Sequence, residues 1–300
     1  TISQRIGNLF HDVLYEVYKN DIKDYDKVIN EVVDKYFDKD SNKDKFYIEK
    51  YRKALKQLIS LLDEQLSKTD YHNEYFEEWF SVEKENDLNI KILGKIDKVL
   101  TLKDNDNTYV IVVDYKTGAL HGDFNKVVHG FDMQLLYYLY LIKNSNKINN
   151  PKFTGMYLQS IMTDVLGSTK NKTYEELIKD NMKLFGYTIS SLDRLYEIDH
   201  NYNEDSYIKS MRVKKDGSFY SYSKVLSEEV IEELINIVDN NINEAISSIN
   251  NSSFDINPKK IGNDLVGCEY CPFKDICYMN NNNIVDLKVT KNLEFLGGDE

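Results

Sequence analysis

The sequence predicts an α/β fold: a central β-sheet flanked by helices, with a helical N-terminal segment and a cysteine-rich C-terminal loop. Three observations carry this expectation. Branched and aromatic runs at Tyr75 to Glu85, Ile90 to Leu102, Tyr109 to Val113 and Lys152 to Ile161 have the composition of buried strands. Apolar stripes with helical spacing occupy residues 1–19, 25–37, 45–67, 130–142 and 227–249. A hydrophobic content of 41% over 300 residues supplies a core large enough to exclude wholesale disorder.

In residues 1–19, Ile6, Leu9, Phe10, Val13, Leu14 and Val17 form one stripe, and Gly7 and His11, four apart, share a face. A single histidine beside such a stripe is ordinarily structural. The segments Tyr25 to Phe37 and Lys45 to Ser67 read as packing helices without chemistry, the latter through Leu55, Leu58, Ile59, Leu62 and Leu66. The strand from Tyr75 to Glu85 alternates imperfectly. Glu77 and Glu83 are its carboxylates to weigh, and Trp79 reads as core more than as a platform for a base.

The next two strands form a hairpin around a turn of Asp104, Asn105, Asp106 and Asn107, residues that bond their own backbone and tolerate left-handed conformations. The first strand carries Asp97 in its middle, and the second ends in Asp114-Tyr115-Lys116-Thr117-Gly118. Carboxylates and a lysine on neighbouring buried strands are costly unless they pair or bind a metal. Hard oxygen ligands on one sheet edge suit Mg²⁺ or Mn²⁺.

The helix from Gly130 to Ile142 places Gln134 and Tyr138 on one face, with Tyr137 and Tyr140 expected in the core. Residues 163–225 are polar and read as an accessory lobe: a helix over 170–184, an irregular stretch over 186–199, and a hairpin turn at Lys214 to Ser218. Ser227, Glu228 and Glu229 open a clear helix that runs to Ile249. All three cysteines fall in one short loop, Cys268, Cys271 and Cys277, spaced C-x₂-C-x₅-C. Clustering of this kind favours ligation over packing, and an odd count in a cytoplasmic protein disfavours a disulfide. Zinc and an iron–sulfur cluster both remain, and both want four ligands. Past Cys277 the Asn-rich tail is expected to order only where Ile284 to Leu296 dock.

No apolar run approaches the ~20 residues of a membrane span and no signal-peptide pattern opens the chain, so the expected compartment is the cytoplasm. The chain begins abruptly within a helical pattern and reads as a fragment of something longer. Acids outnumber bases by 50 to 38, a formal charge of −12, which argues against a protein that coats nucleic acid generally. A local basic groove on an acidic exterior is compatible with it.

Together, Gly94-Lys95-Ile96-Asp97 and Asp114-Tyr115-Lys116-Thr117-Gly118 resemble the GxxD…DYKTG signature of the RecB-like branch of the PD-(D/E)XK nuclease superfamily. Gly7 to His11 matches that branch's GxxxH helix, and Gln134 to Tyr138 its QxxxY helix. The resemblance covers roughly residues 1–160 and 255–280. It implies a restriction-endonuclease-like core with a mixed sheet, in a single domain: a helical part over 1–70, the nuclease core over 71–162, an accessory region over 163–250 and a Cys-rich part over 251–300. It implies Mg²⁺ or Mn²⁺ held by His11, Asp97, Asp114 and the backbone carbonyl of Tyr115. Asp97, Asp114 and Lys116 are then catalytic, Gln134 and Tyr138 bind substrate, and Glu83 is a weak supporting candidate more at home on the surface. The CxxCPF…C pattern is similar to the iron–sulfur loop of AddB-type helicase–nucleases and CRISPR-associated exonucleases, implying a [4Fe-4S] cluster in the full-length protein. In those families the first cysteine precedes the GxxxH helix, so the fourth ligand is expected before Thr1. The implied substrate is DNA, as single strands or ends, with a helicase–nuclease partner subunit. Two other readings stand beside this one: a catalytically inactive DNA-binding or scaffold domain, and a zinc-binding interaction module.

Overall fold

The strand from Asn107 to Lys116, β3, sets the layers of the molecule. Its Val110 and Val112 enter one apolar cluster, while Ile111, Val113 and Tyr115 enter another, so both faces of the sheet are buried. The computed structural model describes residues 2–20, 22–84, 89–162, 172–268 and 271–296. Around β3, six strands form one sheet in the order β1 (His72–Lys84), β2 (Ile90–Asp104), β3, β4 (Pro151–Ser160), β5 (Phe185–Ile189) and β6 (Val225–Leu226). The β3–β4 and β5–β6 pairs are parallel and the other three antiparallel, which makes the sheet mixed as expected.

On one face lie α1 (Ile2–Lys19), α2 (Tyr25–Tyr36) and α3 (Asn42–Leu66), whose apolar stripes share a cluster with Leu100, Ile111 and Val113. On the other lie α4 (Gln134–Asn144) and α7 (Glu228–Asn250), packed with Phe80, Ile96, Val110 and Val112. The helix α4 is the crossover between the parallel strands β3 and β4. Gly94 of β2 makes its close approach possible, because a Cβ there would meet Leu141 Cδ1 at 2.5 Å and Tyr137 Cε1 at 3.1 Å. Gly7 of α1 has no such need: a Cβ would meet Thr117 at an ordinary 3.8 Å.

The region after β4 differs from expectation. Residues 186–199 are regular, giving most of β5 and then α6 (Leu192–Ile198), and α5 (Tyr174–Asn181) precedes them under a Thr173–Glu176 capping box. Gly186 reads as a strand breaker in sequence, yet it is required here: an added Cβ would lie 2.0 Å from the Met156 carbonyl oxygen of β4. With β6, this region extends the main sheet. Trp79, expected in the core, is 57% exposed on edge strand β1.

The C-terminal part forms a separate small sheet from β7 (Lys259–Ile261), β8 (Asp264–Val266) and β9 (Val285–Asp286), in the order β8-β7-β9. The tail docks between Ile284 and Leu296 as expected: Leu293, Phe295 and Leu296 pack on the α4–α7 cluster, and Asn292 accepts the Phe124 N–H. Glu85, Lys170, Asn171 and the final Gly-Gly-Asp-Glu lie outside the described residues. Among the described residues no helix is long and apolar enough to cross a membrane.

Candidate functional site

Past the Lys98–Val113 pair, β2 and β3 part. One continues beside β1 alone, the other beside β4 as far as Lys116–Ser160. A backbone amide exposed by that parting needs an acceptor. Asp97 supplies it: its Oδ2 accepts the Tyr115 N–H at 2.7 Å, which fixes the carboxylate in the notch between the strands.

The pleat slips at the same level. Phe76 and Phe80 are four residues apart yet lie in opposite apolar clusters, and so do Leu100 and Ile96 on the paired strand. Regular alternation would keep each pair on one face. On β1 the reset falls at Glu77, whose φ of +47° is left-handed, a conformation that costs a non-glycine residue about 1–2 kcal/mol. The reset turns Glu77 toward α1. There His11 Nδ1 lies 2.5 Å from its Oε1, and Lys95 Nζ lies 2.6 Å from its Oε2. His11 Nδ1 is also 3.8 Å from Asp97 Oδ1. One ligand atom from each of His11, Glu77 and Asp97 falls within 4.8 Å of the others, a spacing one cation can bridge.

Asp114, Lys116, Gln134 and Tyr138 assemble on the α4 side of the notch. Gln134 Nε2 donates to Asp114 Oδ1 and to the Tyr138 hydroxyl, both at 2.8 Å, and the Tyr138 hydroxyl donates to Asp114 Oδ1 at 3.3 Å. Gln134 Oε1 accepts from Lys116 Nζ at 2.6 Å. Asp114 Oδ2 is buried and has the Lys116 ammonium 2.5 Å away, in a geometry that forms an ion pair but no hydrogen bond. A buried carboxylate oxygen without a donor is a natural cation ligand.

The electrostatics are those of acids crowded together. Burial, reinforced by the neighbouring Asp114 charge, pushes the Asp97 carboxyl up to about 7. Burial alone would lower His11, but the Glu77 hydrogen bond and the Asp97 charge prevail and raise it. Glu77 goes the other way: burial pushes it up, and the His11 and Lys95 contacts outweigh that and hold it below the usual carboxylate range. A divalent cation between these groups would relieve the repulsion felt by Asp97, so the donor set fits Mg²⁺ or Mn²⁺.

The structure thus brings His11, Asp97, Asp114, Lys116, Gln134 and Tyr138 to one notch, with the Tyr115 ring edge-on to His11 at 6.0 Å. Glu83 stands apart, its side chain 80% exposed beside Lys91, as a surface residue should be. Glu77 and Lys95 are members of the site that sequence reading did not select. The one signal for Glu77 was the imperfect alternation of Tyr75 to Glu85, which marks the slipped pleat. Cys268, Cys271 and Cys277 are free thiols that line a separate cavity of about 660 Å³ together with Asn263, Asp264, Leu265, Lys274, Asp275 and Met279.

Known proteins resemble this chain. The chain is 31% identical over 198 residues to the AddB-type subunit of the ATP-dependent helicase/deoxyribonuclease of Caldanaerobacter subterraneus, a match covering 64% of this chain and 17% of that protein. Proteins of the same name from Alkaliphilus oremlandii and Clostridium perfringens are 29% and 26% identical, over 72% and 79% of this chain. The chain spans about a fifth of the length of the curated relatives it matches, between 17% and 22%. A family profile covers residues 1–278, and by that match the chain belongs to the PD-(D/E)XK nuclease superfamily.

Proposed function

We propose that this chain is the nuclease part of a helicase–nuclease and hydrolyses DNA phosphodiester bonds with Mg²⁺ or Mn²⁺, acting as an exonuclease on single strands or ends in recombination and repair. One observation carries the reading: a cation-sized cluster of His11, Glu77 and Asp97 lies beside Asp114 and Lys116 in a single notch. His11, Glu77, Asp97, Asp114 and the Tyr115 carbonyl would hold the metal. When bound, the metal supplies positive charge to the scissile phosphate and lowers the pKa of a coordinated water. Gln134 fixes the other partners, because its amide bonds Asp114 and Lys116 at once and so sets the distance between carboxylate and ammonium. Lys116, a third exposed, can then orient the attacking water or neutralise charge on the phosphate. The partner would be a helicase subunit, and the setting the cytoplasm.

The same reading extends to the C-terminal loop. Three cysteines around one cavity provide three of the four ligands of a [4Fe-4S] cluster, with the fourth supplied from a longer protein before Thr1. None of the three belongs to either large apolar cluster, so the main sheet would not depend on the cluster. Prepared in air, this chain should hold little iron, and one zinc per chain would instead favour an interaction module. The decisive experiment is cleavage of labelled single- and double-stranded DNA with Mg²⁺, Mn²⁺ or EDTA. Cleavage that EDTA abolishes is the expected result; metal-loaded protein that binds DNA without cutting it would make this a scaffold domain.

A further inference from the structure

The segment from Tyr207 to Lys224 reverses the charge of the chain. It holds Lys209, Arg212, Lys214, Lys215 and Lys224 against the single acid Asp216, in a protein whose formal charge is −12. Many surface cations elsewhere are paired, among them Lys143 with Glu232, Lys152 with Glu228, and Lys183 with Asp180 and Asp205. Here Lys209, Arg212, Lys214 and Lys215 are exposed and meet no carboxylate at ion-pair distance among the described residues. Aromatic rings sit among them. Tyr220 and Tyr222, 40% and 55% exposed, stack with centroids 5.2 Å apart. With Tyr202, Asn203, Arg212 and Val213 they line a groove of about 300 Å³.

The ends of the segment also approach the notch. From Lys116 and Gln134 a second groove of about 180 Å³ runs past His121, Gly122 and Asp123. The Phe185 ring closes against Gly122, where a Cβ would lie 2.8 Å from it. Lys209 and Lys224, near the two ends of the basic segment, lie 5.4 and 4.6 Å from the centre of that ring, and Lys224 also reaches Asp123 at 2.8 Å.

We propose that residues 207–224 form a binding track for single-stranded DNA that leads to the candidate active site. Unpaired cations recognise the phosphates and the exposed tyrosine pair stacks on bases. Such stacking requires bases that are not buried in a duplex, and is worth about 1–3 kcal/mol per base. The inference rests on the nuclease reading above and names how that site takes its substrate.

The test is fluorescence anisotropy of 5′-labelled oligo-dT of 20 nucleotides with the full chain, in EDTA so that nothing is cut. Arg212→Ala/Tyr220→Ala should weaken binding at least about fivefold, the low end for removing one stacked base. Lys214→Glu/Lys215→Glu, confined to an exposed turn that tolerates substitution, should weaken it as well and flatten the dependence of log K on log salt, by about 0.7 for each phosphate no longer neutralised. If wild-type chain binds the strand and both folded variants bind it equally well, the track is wrong while the nuclease reading stands. That result is also expected if the patch serves a protein partner. If wild-type chain binds no DNA at any salt, both readings fall.

Discussion

At the scale of single residues, the site crowds carboxylates whose repulsion a bound cation would relieve. Asp97, raised to about 7 by burial and by Asp114, is the group with most to gain from a bound metal. His11 and Glu77 already hold each other, so a cation must draw both away from that contact. His11→Ala and Glu77→Gln should each raise the Mn²⁺ concentration for half-maximal cleavage at least about tenfold, the lower range for disturbed metal shells. They should also shrink the rise in melting temperature that Mn²⁺ produces, a readout independent of turnover. A variant with lower stability but an unchanged Mn²⁺ response would make that residue structural. In the proposed reaction Lys116 and Asp114 would act more directly. Lys116→Ala and Asp114→Asn should each cost at least about 10²-fold in rate with the fold retained, the lower range for removing a positioned acid–base group. Near-normal rates in folded variants would remove both from the mechanism.

At the scale of elements, the two motif glycines behave differently, and the difference can be measured. Gly94→Ala forces Leu141 and Tyr137 of α4 aside and should cost about 1–3 kcal/mol, as overpacking does. Gly7→Ala meets only ordinary contact in the middle of α1 and should stabilise by up to about 1 kcal/mol through helix propensity. Denaturant melts of the two variants test the contrast, and equal destabilisation would refute it. A second element prediction concerns α5, tied down by a charged network. The Tyr207 hydroxyl and Lys179 hold Glu64 below its ordinary value, and Lys183 does the same for Asp205. At Asp180 burial pushes upward, but Lys172 and Lys183 prevail. Each folded pKa therefore lies below its unfolded one, so the unfolded chain takes up protons first on acidification. The stabilisation is fully present above about pH 4.5, the upper end of ordinary carboxylate values, and is lost as pH falls through the folded values. Amide protection factors of α5 should drop between pH 6 and pH 3.5 while those of α4 hold, and parallel loss in both would contradict the network's role. The hairpin β2–β3 was legible because Val, Ile and an Asn-Asp turn all point the same way. β5 was not, since Gly186 reads as a breaker until the nearness of the β4 backbone is known. Trp79 was misjudged for a related reason. The imperfect alternation of its strand hints at a slipped pleat but does not say that the slip falls at Glu77, and so not which face Trp79 takes.

At the scale of the whole molecule, the motifs were legible while the relation between them was not. GxxD, DxK, GxxxH and QxxxY stand out in combination, but sequence cannot show that Asp97 caps the Tyr115 amide where two strands diverge. Nor does the net charge of −12 reveal that unpaired cations gather along one segment. The strands of the main sheet lie side by side in chain order, β1 through β6. The strands β1, β2 and β3 are joined by short loops and can pair early, whereas the later pairs must close longer connections. The notch closes a longer span still, because His11 must find Glu77 at a separation of 66 positions and across a whole helical layer. Assembly of the candidate metal site is then expected late, after the folding transition state. A ligand that holds only late contacts retards unfolding and leaves folding unhurried. Stopped-flow traces with Mn²⁺ should show a slower unfolding limb and an unchanged refolding limb, so that the bound cation works as a latch on a door already shut.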